Sequence, residues 1–226
     1  MKRFSLSVLG LLAIAVIALF LFPRRVTIGP ANPGAEDGSD AWWVGTSGKG
    51  YLFVDQTDPG GGANDFTLGN TNSVGDNSAG WRSVIFPLGP AAAGARPISF
   101  SFAYKLVDDV NPGDNVYVQL RFFTQSTNWL REKDFVLGDS SHDSAMSYYK
   151  TVAVSGIYAP YRARLADINV FVNAFGRHWS SGDARFDNFS VATTTHSWLP
   201  CILAVALLGM MGTVMLLFYF REKSNM

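Results

Sequence analysis

The stretch "ARFDNFSV" at residues 184–191 places an acid, Asp187, in period-two phase with Phe189 and Val191. In a strand that phase is a core face, and a buried carboxylate without a partner is costly. Backbone donors, Arg185 or Arg164 would serve as that partner. Other groups offer weaker chemistry. Asp139, His142 and Asp143 lie together around "SSHD" and could bind a metal, although such a grouping arises easily in a turn-rich stretch. Asp108, Asp109 and Glu132 could supply the two facing acids that glycoside hydrolysis needs, but nothing in their spacing requires it. The chain has three histidines and lacks a Gly-x-Ser-x-Gly elbow, a His-Glu-x-x-His pair and a phosphate-binding loop. A catalytic reading therefore ranks behind binding and structural ones.

The elements that would carry these residues read as strands. In "ISFSFAYK" at 98–105, Ile98, Phe100, Phe102 and Tyr104 alternate with Ser99, Ser101 and Ala103. "NVYVQLRFF" groups Val116, Val118, Leu120 and Phe122. "RARLADINVFVNAF" sets Ala166, Ile168, Val170 and Val172 on one face and Asp167, Asn169 and Phe171 on the other. "AWWV" and "GYLFVDQ" read as an opening pair, followed by "WRSVIFPL", "KDFVLG", "YYKTVAVS" and the closing "ARFDNFSVAT". Trp42, Trp43 and Trp81, near strand starts, are expected in the core. With no amphipathic helix between residues 26 and 198, the expectation is an all-β, two-sheet antiparallel sandwich of the jelly-roll type over residues 41–195. The glycine-rich, acidic stretch 57–80 is expected to be either a disordered loop or a lip held by an ion. Residues 26–40, with Pro30 and Pro33, read as a tether.

The two ends are apolar. Residues 4–22 hold nineteen positions without a charge, and "CILAVALLGMMGTVMLLFYF" occupies 201–220. Each is long enough to cross a bilayer as a helix. Residues 1–25 are read as a signal anchor or signal peptide, 199–220 as a transmembrane helix flanking the sandwich, and 221–226 as a cytoplasmic tail. The basic residues Lys2, Arg3, Arg221 and Lys223 place both ends inside and the domain on the extracytoplasmic side, periplasmic or at the cell surface. Residues 26–198 carry twelve basic and seventeen acidic residues, so the domain is net negative, which argues against a nucleic-acid partner. The single cysteine, Cys201, excludes an intrachain disulfide.

The runs "ISFSFAYKL", "DNVYVQLRFF", "RLADINVFV" and "RFDNFSV" together resemble the jelly-roll domains of carbohydrate-binding modules and galactose-binding-like proteins, over roughly residues 41–192. The resemblance implies a structural calcium ion between the start of the domain and its last strand, with Asp187 as the closing-strand ligand. Asp40, Asp55 and Asp58 are the further candidate ligands, and Glu36 and Asp37 also precede the first strand. The usual Asn-x-x-Phe-Glu opening of such domains is not read here. The resemblance also implies sugar binding by exposed aromatics beside polar groups. The candidates are Trp129 with Asn128 in "TQSTNWLREKD" and Trp179 with Arg177 in "FGRHWSSGD". The expected function is a membrane-anchored binding module for a glycan. A structural or adhesive domain facing a surface protein is the alternative.

Overall fold

The computed structural model describes residues 24–47, 50–56, 62–70, 78–107, 115–137, 146–173 and 182–195. The two apolar end segments lie outside the described residues. Among the described residues no helix is long and apolar enough to cross a membrane. Residues 26–193 form one compact unit.

Twelve strands are described: β1 (Arg24–Gly29), β2 (Trp42–Ser47), β3 (Gly50–Asp55), β4 (Asp65–Asn70), β5 (Ser78–Ser83), β6 (Phe86–Pro87), β7 (Ile98–Leu106), β8 (Asn115–Phe123), β9 (Trp129–Leu137), β10 (Lys150–Ile157), β11 (Leu165–Asn173) and β12 (Gly182–Thr195). They form two sheets. The first runs β10, β7, β12, β4, β3, with β1 also paired to β12. The second runs β2, β5, β11, β8, β9, with β6 also paired to β11. The all-β two-sheet sandwich expected from the alternation is what forms.

The core lies between the sheets. Phe100, Phe102, Tyr104 and Leu106 of β7, Phe186, Phe189 and Val191 of β12, and Phe66 and Leu68 of β4 fill it from one side. Val118, Leu120 and Phe122 of β8 and Ala166, Ile168 and Val170 of β11 fill it from the other. Burying one such side chain stabilises the fold by about 1.5–3 kcal/mol. Across the core the Trp81 indole N–H donates to the Thr67 carbonyl at 2.9 Å, tying β5 to β4.

Several expectations are corrected. β2 and β3 are not a pair: β2 joins β5 in one sheet and β3 joins β4 in the other. The glycine-rich stretch contains β4, a strand with neighbours on both sides. Residues 24–40 are not a tether. They include β1, and Ala35 is fully buried in the core cluster. Trp42 and Trp81 are core, but Trp43 is 67% exposed. Neighbouring residues on a strand face opposite ways, so Trp42 and Trp43 cannot share the interior.

Candidate functional site

Alternation that sends one set of residues inward sends the intervening set outward. On the second sheet that outer set forms a continuous polar row. Trp43 faces Arg82, Arg82 faces Asn169, Asn169 faces Gln119, and Gln119 faces Asp134, in register across all five strands. Residues directly opposite in antiparallel strands lie on the same face, close enough to interact. The row is internally bonded: Asn169 Nδ2 donates to Gln119 Oε1 at 3.1 Å, and Gln119 Nε2 donates to Asp134 Oδ1 at 3.0 Å.

An aromatic pair flanks this row on one side. Tyr117 and Phe171 are register partners whose rings stack at 4.9 Å and 11°. The same row continues through Gly80 and Gly45. A Cβ at Gly80 would come within 3.0 Å of Phe171 Cβ, so glycine allows β5 this close approach to Phe171.

On the other side sits a charge cluster. Asp167 is fully buried and accepts from Arg82 Nε at 2.7 Å, Arg121 Nε at 2.8 Å and Arg121 Nη2 at 2.9 Å. Both guanidinium groups also lie over the Phe123 ring, at 5.9 Å and 5.8 Å. Over β2, β5 and β11, with Arg121 of β8, this face forms an open groove of about 620 Å³, whose walls include Trp43, Gly45, Gly80, Arg82, Asn169 and Phe171. Exposed aromatic surface beside fixed amide and guanidinium groups is what recognition of a sugar ring with its hydroxyls requires.

Trp129 opens β9, opposite Phe123 on this same outer face, rather than standing in a loop. It is 58% exposed, and its indole N–H donates to Glu132 Oε2 at 2.8 Å. Asn128 belongs to the β8–β9 turn, where its carbonyl accepts from Thr124 N at 2.9 Å and its own N–H donates to Thr124 Oγ1 at 3.2 Å. Trp179 and Arg177 lie outside the described residues, as do Asp58, Asp108, Asp109 and His142. The groove residues Trp43, Arg82, Asn169 and Phe171, and Gln119 beside them in the row, are not among the residues expected to bind. Their signal was present in the outward half of the alternation, where "DINVF" and "VQLRF" place amides, charges and rings in successive positions.

Asp187 is fully buried, but not in phase with Phe189. The β12–β7 register shifts between Asp187 and Ser190, and Asn188 has φ of 54°. This bulge adds one residue, so Phe186 and Phe189 both face the core while Asp187, opposite Ala103, faces away. Asn188 donates its backbone N–H to Asp187 Oδ1 at 2.6 Å and its amide to Oδ2 at 3.1 Å, so backbone donation is among its partners. Arg185 pairs with Asp55 at 2.9 Å, and Arg164 donates to the Ala163 carbonyl. Asp40 is exposed, and its carbonyl accepts from Asn32. Among the described residues no three of His, Cys, Asp or Glu gather as a metal cluster, so Asp40, Asp55 and Asp187 do not form one ligand set.

A different oxygen set does meet Asp187. The turn of residues 32–36 precedes β2 and buries Ala35. Asn32 shapes this turn through its amide, which donates to the Gly38 and Asp40 carbonyls at 3.0 and 2.9 Å. A Cβ on Gly34 would lie 2.5 Å from Asp187 Oδ1 and 3.5 Å from Glu36 Oε1, so both carboxylates flank one small space that only glycine leaves open. Asn64 donates to the Ala35 and Glu36 carbonyls, while its own Oδ1 is buried without a hydrogen-bond partner among the described residues. Two carboxylates, an amide oxygen and neighbouring carbonyls are the donor chemistry of a calcium ion, which takes about six to eight oxygens.

No family model and no curated protein matches the chain. Solved structures do. An enzymatically active domain of tailspike protein 4 from bacteriophage CBA120 aligns with a TM-score of 0.55 and 13% identity, over 74% of this chain and 21% of that one. The chain thus spans about a fifth of the tailspike chain. The carbohydrate-binding module TmCBM61, solved with β-1,4-galactotriose, aligns with a TM-score of 0.49 and 16% identity, over 74% and 98% of the two chains. A family 16 carbohydrate-binding module aligns with a TM-score of 0.45 and 17% identity, over 71% and 96%. Other neighbours are family 22 modules. At these identities what is shared is the β-sandwich fold.

Proposed function

We propose that the protein is a carbohydrate-binding module, held by its apolar end segments on the extracytoplasmic face of a membrane, and that the groove over β2, β5, β11 and β8 is its binding site. The observation that carries the proposal is the in-register row of Trp43, Arg82, Asn169, Gln119 and Asp134 beside the stacked Tyr117 and Phe171. It combines an exposed ring, fixed donors and acceptors, and an open floor on a rigid sheet. The hydropathy of residues 4–22 and 201–220 supports anchoring in a lipid bilayer. A glycan panel and affinity electrophoresis of the full chain test the binding. Retention by at least one glycan is expected. Trp43→Ala should weaken it by about tenfold or more, ~1.4 kcal/mol, without lowering the melting temperature, because Trp43 is exposed. Retention by no glycan would favour the rival reading of a structural or adhesive domain that faces a surface protein, and equal retention of the variant would place the glycan site elsewhere than the groove.

The cofactor belonging to this reading is one structural calcium ion, with Asp187, Glu36 and Asn64 as ligands. It would fasten the turn before β2 to the bulge of β12, and it has no part in sugar chemistry. Added calcium should raise the melting temperature of chelator-treated protein, since a ligand of the native state stabilises it by ~2.7 kcal/mol at a hundredfold excess over Kd. Asp187→Asn should remove that response. Identical melts of wild type with calcium and with chelator would dismiss the ion.

A further inference from the structure

We infer that the groove takes an acidic sugar, a hexuronate unit whose carboxylate is held by the free end of the Arg82 guanidinium. This rests on the carbohydrate-binding reading above and names the class of glycan. The groove wall includes two cations, Arg82 and Arg121, and no acid. Residues 26–198 hold seventeen acids against twelve basic residues, so this wall inverts the sign of the domain around it. Asp167 offsets only one of the two charges, and its carboxylate is already occupied by three hydrogen bonds. One buried carboxylate between two guanidinium groups leaves one net positive charge.

That charge is available on Arg82. Arg121 is turned inward: it commits two nitrogens to Asp167, and its side chain is only 18% exposed. Arg82 commits Nε alone, its side chain is 43% exposed, and its terminal nitrogens bond no described residue. A guanidinium fork with both ends open matches a planar carboxylate in two parallel hydrogen bonds. The acids of β9 do not line the cavity: Asp134, which accepts from Gln119, stands three strands from Arg82 in the row, and Glu132, which accepts from Trp129, lies opposite Arg121 rather than Arg82. Trp43 lies opposite Arg82 in register. A pyranose stacked on Trp43 therefore presents its ring substituents to Arg82, and a carboxylate there meets the only open fork in the row.

Affinity electrophoresis of the full chain against polygalacturonate, alginate and glucuronoxylan, each beside its carboxyl-reduced neutral counterpart, tests the inference. At least one acidic polymer should retain the protein about tenfold more strongly than its reduced form, and the difference should shrink as salt rises. Arg82→Gln should erase the preference, bringing the variant's retention on the acidic polymer down to its own retention on the reduced one. Arg82→Lys should restore part of it; Arg82→Gln, which removes one of the three hydrogen bonds to buried Asp167, should melt lower than wild type but remain folded at the temperature of the assay. Trp43→Ala should weaken acidic and neutral retention alike. Equal or stronger retention on the reduced polymers, or a preference that survives Arg82→Gln, overturns the inference and leaves glycan binding standing. Retention on no polymer of any kind overturns both.

Discussion

Asp65 lies on the outer face of the first sheet, fully buried beside Asp55, its register partner. Burial pushes its carboxyl above the usual aspartate range. The hydroxyls of Tyr149 and Thr67, which donate to it, and the positive charge of Arg185 pull the other way, and the charge of Asp55 adds to the rise. A carboxyl whose folded value is raised binds its proton more tightly in the folded state. Its contribution to stability is therefore complete below the ordinary aspartate range and is lost as pH climbs through the raised value. Urea denaturation across that window should show stability falling with pH in wild type, and a flatter dependence in Asp65→Asn. An unchanged slope in the variant would reassign the effect to other groups. At this same scale, the sequence reveals which side chains are polar or aromatic but not which way a given one faces. Trp42 and Trp43 are identical in type, and only alternation separates the buried one from the exposed one. Asp187 misleads for a subtler reason: the bulge at Asn188 inserts a residue, and no period-two reading can see the change of phase.

At the scale of elements, β4 carries the largest surprise. It occupies six residues of a stretch dominated by glycine, asparagine and aspartate, and its propensity is poor. Its place between β12 and β3 comes from tertiary packing, through two inward residues, Phe66 and Leu68. Phe66 packs against Trp42 at 4.5 Å and Trp81 at 5.1 Å between ring centroids. Phe66→Ala should cost about 3–5 kcal/mol, read as a lower urea midpoint at unchanged slope. A loss below 1 kcal/mol would mean that β4 is peripheral. By contrast β7, β8 and β11 were legible at once, since nine-residue strands in strict alternation leave little room for another fold. The segment from Arg24 to Asp40 hid its role because its anchoring is done by Asn32, Ala35 and Glu36 rather than by a run of large apolar residues.

At the scale of the molecule, the two sheets divide their labour. The inner faces hold the sandwich together. The outer face of the first sheet carries the buried polar pairs of Asp55, Asp65 and Arg185, while that of the second carries the open groove. The sandwich class follows from the sequence because inward positions obey one rule, alternation of apolar residues. The groove does not, because it depends on which strands become neighbours: Trp43 and Asp134 stand ninety-one positions apart and meet in one row only through the order β2, β5, β11, β8, β9. Hydrogen–deuterium exchange of the full chain, with and without a glycan that retains it, tests the central claim most directly. Binding in the groove predicts slower exchange in residues 42–47, 78–83 and 165–173, with β3 and β4 unchanged. Protection confined to β3 and β4, or found nowhere in the sandwich, would contradict it.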